Sequence, residues 1–318
     1  MLLTDQFSTP ILFLVFNRPD TTQKVFDSIR SQRPTKLYIA ADGPRSGKPN
    51  EAEKCNEVRN IVSDIDWDCD VKTLYRAENL GCKVAVSSAI SWFFEQEEEG
   101  IILEDDCLPD DTFYNYCSLL LEKYRFDDKV MHIGGVNFQN GVKRGKGSYY
   151  LSDITHIWGW ASWRRAWKHY DVNTSRLNEY LNISHFIKIL LLPYFNKMQI
   201  INYINTNANK IDTWDHQWAF AIELNRGTNI NPNVNLIENI GFGDNATHTQ
   251  EKSNSLKQYM HNGSIDQMIH PDVMIVNLEA DTFFKNLTKP TNLLSSLKLN
   301  IKIVIAVLNR KINGLQNL

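Results

Sequence analysis

The sequence predicts an α/β fold, a Rossmann-like, mostly parallel open sheet flanked by helices. Three observations predict it. Short apolar runs alternate with amphipathic helical runs through the first 130 residues. The first of these runs is continuously apolar, as a parallel strand covered on both faces must be. Polar or turn residues follow at the strand ends, and strand–helix alternation with right-handed crossovers builds such a sheet.

Residues 11–16 form the first strand and stop at Asn17-Arg18-Pro19-Asp20. A helical pattern follows with Val25, Phe26 and Ile29 on one side and Thr21 or Thr22 as its cap. Residues 37–41 are a second strand, ended by the turn signal Asp42-Gly43-Pro44. Residues 51–62 read as helix and 71–75 as a third strand. Residues 84–98 are helical, with Val84, Ser88 and Trp92 at i, i+4 spacing. Residues 101–103 are a fourth strand, followed at once by Glu104-Asp105-Asp106. Residues 111–124 form a helix with Phe113, Tyr116, Leu120 and Tyr124 facing inward. Open α/β sheets bind ligands at the carboxyl ends of their strands, which directs attention to Asn17-Arg18, Asp42-Gly43 and the acidic triplet. The second half is less regular, rich in Trp, Tyr and Asn, and is expected to form the facing side of the cleft. The expected division is 1–130, 131–281 within the same domain, and a tail, 282–318.

The chain has 318 residues, 42% hydrophobic and 22% charged, which excludes long disorder and fibrous repeats. Lys plus Arg is 34 and Asp plus Glu is 37, so a chain-wide basic footprint for nucleic acid is absent. The net charge of -3 hides a split: residues 282–318 carry six cations and no acid, which leaves -9 on residues 1–281. In that tail Leu293, Leu294, Leu297, Ile301, Val304, Ile305 and Leu308 recur at 3–4 residue spacing, with Lys298, Lys302, Arg310 and Lys311 between them. This fits an amphipathic helix on an anionic membrane, or equally a helix packed on the body or on a partner subunit. Five scattered cysteines without a CxxC pair read as reduced thiols in a cytosolic protein. No run approaches the roughly 20 apolar residues of a spanning helix, and residues 11–16 are too short for a secretory signal. The expectation is a cytoplasmic protein, soluble or peripherally attached at the inner face of the membrane.

Six segments can carry chemistry. Three carboxylates at the end of a buried strand raise one another's pKa, a cost that a hard divalent cation relieves. Asp42 can accept hydrogen bonds from a base or sugar, Gly43 allows close approach, and a plain turn explains both equally simply. Asn79-Leu80-Gly81 leads into a helix whose N-terminus, with Lys83, can face phosphate oxygens. Trp158, Trp160, Trp163 and Trp167 offer flat faces for sugar rings, or simply pack a core. Trp214-Asp215 sets a carboxylate beside an aromatic at a helix start, the place for a general base or a cap, with Asp212 as the other cap candidate. Residues 239–249 carry Gly241, Gly243 and His248, the pattern of a loop closing over a ligand. His248 is there a candidate metal or phosphate contact, and Asp244 a rival base. A P-loop, a Gly-x-Gly-x-x-Gly turn, a Gly-x-Ser-x-Gly elbow and a His-Glu-x-x-His pair are all missing, so kinase, dehydrogenase, serine hydrolase and zincin chemistry lose their usual support.

Together these residues resemble the GT-A nucleotide-sugar glycosyltransferases. Gly100-Ile101-Ile102-Leu103-Glu104-Asp105-Asp106-Cys107, followed by Phe113-Tyr114-Asn115-Tyr116, resembles the Glu-Asp-Asp segment of the N-acetylglucosaminyltransferase I family, and the likeness spans roughly residues 8–250. The resemblance implies that Asp106, helped by Glu104 and Asp105, holds Mn²⁺ or Mg²⁺ against the diphosphate of a UDP-sugar. It implies that Asp215 is the catalytic base, that Asp42 contacts uracil and that Asn17 and Arg18 lie around the nucleotide. Gly43, Asn79, Gly81 and Lys83 complete the expected donor contacts, and Trp158, Trp160 and Trp214 the acceptor contacts. The implied activity is inverting transfer of a hexosyl or N-acetylhexosaminyl group to a glycan or lipid-linked acceptor, in bacterial surface polysaccharide synthesis such as lipopolysaccharide or capsule. The alternatives are a sugar nucleotidyltransferase and a non-catalytic carbohydrate-binding protein.

Overall fold

The structure, a computed structural model, describes residues 7–181, 189–241, 256–289 and 293–315. Its first half runs β1 (Ile11–Val15), α1 (Pro19–Gln32), β2 (Lys36–Ala41), α2 (Glu51–Ser63), β3 (Asp70–Tyr75), α3 (Gly81–Gln96), β4 (Glu99–Glu104), β5 (Cys107–Pro109) and α4 (Asp111–Lys123). The second half continues with β6 (Val130–Gly134), β7 (Tyr149–Ser152), β8 (Trp160–Trp163), α5 (Arg164–Trp167), α6 (Leu177–Tyr180), α7 (Tyr194–Asn207), α8 (Asp215–Leu224), β9 (Thr228–Pro232), β10 (Ile237–Asn239), α9 (Leu278–Leu287) and α10 (Leu293–Leu315).

Eight strands form the main sheet in the order β3-β2-β1-β4-β8-β6-β9-β7. Pairings β1–β2, β1–β4 and β2–β3 are parallel, whereas β8 runs antiparallel to both β4 and β6. The five residues of β1 are all buried, as its unbroken apolar run requires. One face of the sheet carries Phe13, Ile39 and Leu103 against Phe26 of α1, Val58 of α2 and Phe113 of α4. The other carries Leu12, Leu14 and Ile102 against Ile90 and Phe93 of α3 and against Trp160, Trp214 and Trp218. The sheet is therefore covered on both sides, the doubly wound arrangement.

Helix starts differ from the expected ones. Arg18 is the residue before α1, and the Thr22 hydroxyl donates to the Arg18 carbonyl at 2.7 Å instead of capping the helix. Pro19 at the first helical position, with its fixed φ, accounts for the start. α3 begins at Gly81 rather than at residue 84. The second half, expected to be irregular, supplies β6 to β9 of the main sheet, and β8 pairs directly with β4. A second sheet pairs β10 with β5, with Asn239 opposite Cys107.

The tail helix α10 buries Leu299, Ile303 and Val307 in a third cluster, with Ile200, Ile201 and Tyr203 of α7 and Phe220 of α8. Among the described residues no helix is long and apolar enough to cross a membrane.

Candidate functional site

From β1 the chain crosses to β2 and β3 on one side, while β4 pairs on the other side of β1. Such a reversal of strand order opens a crevice at the carboxyl ends of the two central strands. The register sets Leu14 beside Glu104, so the residues that follow each strand are neighbours. Arg18 and the acidic triplet meet there.

The Arg18 guanidinium pairs with both aspartates, to Asp105 through one nitrogen and to Asp106 at 2.9 Å through the other. Asp105 also accepts from the Phe16 N–H at 3.3 Å and is 2% exposed. Burial pushes the Asp105 carboxyl up to about 6, with the Arg18 charge opposing. Burial, and then the charges of Asp106 and Asp105, push Glu104 up to about 8. Asp215 adds to the Glu104 shift, so the first residue of α8 lies within charge range of the triplet. Asp215 accepts from the Thr213 hydroxyl, and His216 Nδ1 stands 3.8 Å from its other oxygen. Gly241 closes over the ion pair: a Cβ there would lie 2.3 Å from Asp106 Oδ2 and 2.8 Å from Arg18 Nη1. The Asp106 carbonyl accepts from the Ile240 N–H at 2.8 Å, which fixes that approach.

Asp42 stands at the end of β2. Its carboxylate accepts from the Gly43 N–H at 2.9 Å, Asn79 Nδ2 at 2.9 Å, and the N–H groups of Leu80 and Gly81 at 3.0 and 3.2 Å. Burial still raises its pKa, against those donors. A Cβ at Gly43 would lie 2.4 Å from the Glu78 carbonyl carbon, so only glycine lets the two loops touch. Asn17 donates to Glu51 at 2.9 Å, and Glu51, 5% exposed, also pairs with Arg45.

Several expectations are corrected. The N-terminus of α3 does not face an open phosphate site: Asp212 accepts from the Cys82 and Lys83 N–H groups at 3.0 Å each. The Lys83 ammonium turns to Asn209 Oδ1 at 2.9 Å. Gly81, at φ +78°, leaves the room that Asp212 fills. Asp212 thus caps α3 and not the helix that follows it in sequence. Trp160 and Trp214 are each 1% exposed and stack on one another at 5.6 Å, packed with Trp167 and Trp218, so neither offers a face to a sugar. Their indoles fill the core between β8 and α8 instead. Trp158 is half-buried and meets Phe138 edge-on. His248, Asp244 and Gly243 lie outside the described residues.

Sequence reasoning missed Glu51 and the role of Gly241. The only sequence signal for Glu51 was an acidic residue at the first position of the expected helix 51–62; its burial comes from the fold. For Gly241 the glycines of 239–249 signalled a closing loop, but not its close approach to Asp106, 135 positions away.

Among the described residues no three His, Cys, Asp or Glu side chains enclose a cation. The donor set still suits one. The charges of Asp106 and Asp105 raise Glu104 despite Arg18, a crowding that further positive charge would relieve, and a Mg²⁺-like ion takes one or two protein carboxylates and completes its shell with water and phosphate oxygens.

No family model matches the chain, and no curated protein matches it. Solved structures with a similar chain course include HddC from Yersinia pseudotuberculosis, at 11% identity and TM-score 0.30 over 49% of this chain and 77% of that one. A UDP-glucose pyrophosphorylase solved with UDP-glucose aligns at 11% identity and TM-score 0.36, covering 71% and 90%. Mouse xyloside xylosyltransferase 1 aligns at 9% identity and TM-score 0.36, covering 81% and 95%. At these values the functional reading rests on the chain's own residues.

Proposed function

We propose that the protein is a GT-A-type, metal-dependent inverting glycosyltransferase that moves a sugar from a UDP-sugar to a hydroxyl of a glycan or lipid-linked acceptor. The meeting of Arg18 with Asp105 and Asp106 at the strand-order reversal, with Asp215 in charge range of Glu104, carries the proposal. A pyrophosphate-linked donor fits this crevice because Arg18 can turn from the aspartates to phosphate oxygens. Mn²⁺ or Mg²⁺, held by Asp106, would supply positive charge against the departing diphosphate.

Asp215 takes the proton of the acceptor hydroxyl. The hydroxyl oxygen forms its bond to the anomeric carbon as the bond from that carbon to the diphosphate oxygen breaks, and the electron pair leaves on UDP. Attack from the face opposite UDP inverts the anomeric centre. The Thr213 hydroxyl orients the Asp215 carboxylate by donating to one oxygen, while His216 Nδ1 stands 3.8 Å from the other. Gly241 keeps the crevice over Asp106 narrow, which limits water. Surface polysaccharide synthesis at the cytoplasmic side of a bacterial membrane is the setting that such an acceptor implies.

The test is a screen of UDP-sugars for UDP release in the presence of Mn²⁺ and a panel of acceptors, with NMR of the product anomer. UDP release with an inverted anomer is expected. Pyrophosphate release from a sugar phosphate and UTP would instead identify a nucleotidyltransferase.

A further inference from the structure

We propose that α10 docks the protein onto an anionic lipid surface through Leu297, Ile301, Ile305 and Leu308. The helix has two apolar faces. Leu299, Ile303 and Val307 are buried against α7, so the core accounts for one. Leu297, Ile301, Ile305 and Leu308 are 56%, 50%, 51% and 54% exposed. At 3.6 residues per turn these four positions fall in a single line along the helix, away from the buried face. Among the described residues nothing covers that line.

The charge around it selects the occupant. Lys298 and Lys302 are exposed and run along one edge of the line. Residues 282–318 carry six cations and no acid, whereas residues 1–281 carry -9. An anionic bilayer attracts the first and repels the second, so the charge distribution also sets the orientation of approach. Aliphatic side chains then enter the acyl boundary while the lysine ammonium groups stay among the head groups. A second copy of the chain fits less well. Four exposed side chains are far fewer than the roughly 20–30 residues per partner of a stable interface, and pairing two such lines would bring the lysines of both copies together. The docking stands apart from the donor chemistry, although Phe220 ties the helix of Asp215 into the cluster that seats α10.

The test uses the full chain and co-sedimentation with vesicles of phosphatidylglycerol and phosphatidylcholine, or of phosphatidylcholine alone. Binding to the anionic vesicles is expected, weakening with salt, and little binding to the neutral ones. K298Q and K302Q should each weaken binding about fivefold, and together leave the melting temperature unchanged because they remove no packing. The double substitution I301Q/I305Q should weaken it at least tenfold, with a far-UV spectrum like that of the parent. Equal binding by the parent, the lysine variants and I301Q/I305Q overturns the proposal, as does absence of binding to anionic vesicles. A concentration-dependent dimer that I301Q/I305Q abolishes assigns the line to a second copy and overturns it equally.

Discussion

Asp212 caps α3 across 130 residues of sequence: its carboxylate accepts from the Cys82 N–H at 3.0 Å, and the Lys83 N–H stands at the same distance from its other oxygen. Asp212 lies three residues before Asp215, so this cap also fixes where the second half enters the crevice. D212A is expected to cost about 1–2 kcal/mol of stability, as for the loss of a helix cap. Urea unfolding measures it. Gly81→Ala should cost more than a cap alone, because the new Cβ would meet Asp212 Oδ2 at 2.6 Å while the backbone sits at φ +78°.

Asp215→Asn keeps the shape and hydrogen bonding of the side chain but removes the proton acceptor. UDP release is expected to fall at least ~100-fold, the range for loss of a general base. Binding of UDP with Mn²⁺, read by calorimetry, should stay within a few-fold of the parent. Near-normal turnover in this variant would remove Asp215 from the role of base.

Arg18→Gln leaves Asp105, 2% exposed, without its cation. Stranding a buried charge costs on the order of 3 kcal/mol. The loss should depend on pH. Asp105 and Glu104 are raised in the folded state, so their protonated forms favour folding, and that contribution fades as pH rises through about 6 and about 8. Without Arg18 both rise further. The variant should therefore lie closer to the parent in thermal melts at pH 5 than at pH 8. A larger deficit at pH 5 would contradict this.

His132 and His156 act in the opposite direction. Both are buried, and burial lowers them to about 4 and about 3. His132 is held between the His156 carbonyl at 2.8 Å and the Trp218 indole N–H at 3.2 Å. Their neutral forms favour folding above the free histidine value of about 6.5, and that contribution is lost as pH falls through about 4 and about 3. His156→Phe, in a ring already lined by Phe138 and Phe284, should flatten the loss of melting temperature between pH 6.5 and 4. An unchanged acid limb would place the acid sensitivity elsewhere.

Trp160→Ala should show itself in stability and not in acceptor affinity. The expected cost is about 3–5 kcal/mol, as for truncation of a fully buried indole. A change confined to acceptor KM, with no shift in the urea midpoint, would restore Trp160 to the cleft.

What the sequence made legible follows from range. Residues 11–16, 37–41 and 101–103 announced themselves as strands because burial on both faces leaves unbroken apolar runs. The acidic triplet stood out for the same reason, as charge abutting a core strand. Trp160 and Trp214 misled because an indole core and an indole platform share one composition, and only burial separates them. Glycine and lysine before a helix suggested phosphate at Gly81 and Lys83, but the competing carboxylate of Asp212 came from far along the chain. The strand content of 130–232 was obscured because β6 to β9 bury polar residues, among them His132, Ser152, Ser162, Asn229 and Asn231, which break up the apolar runs.

The pairing of β8 with β4 has a consequence for how such a protein can change. The first 130 residues and the next 150 share one sheet and two cores, and Trp160 from one half packs on Phe93's cluster from the other. Neither half can be exchanged as a cassette, since cutting between them would bare the edge of β4 beside the acidic triplet. On the proposed function, a change of acceptor would have to arise in place, by substitution in the connections around Gly241 and Asp215, with residues 1–130 inherited alongside.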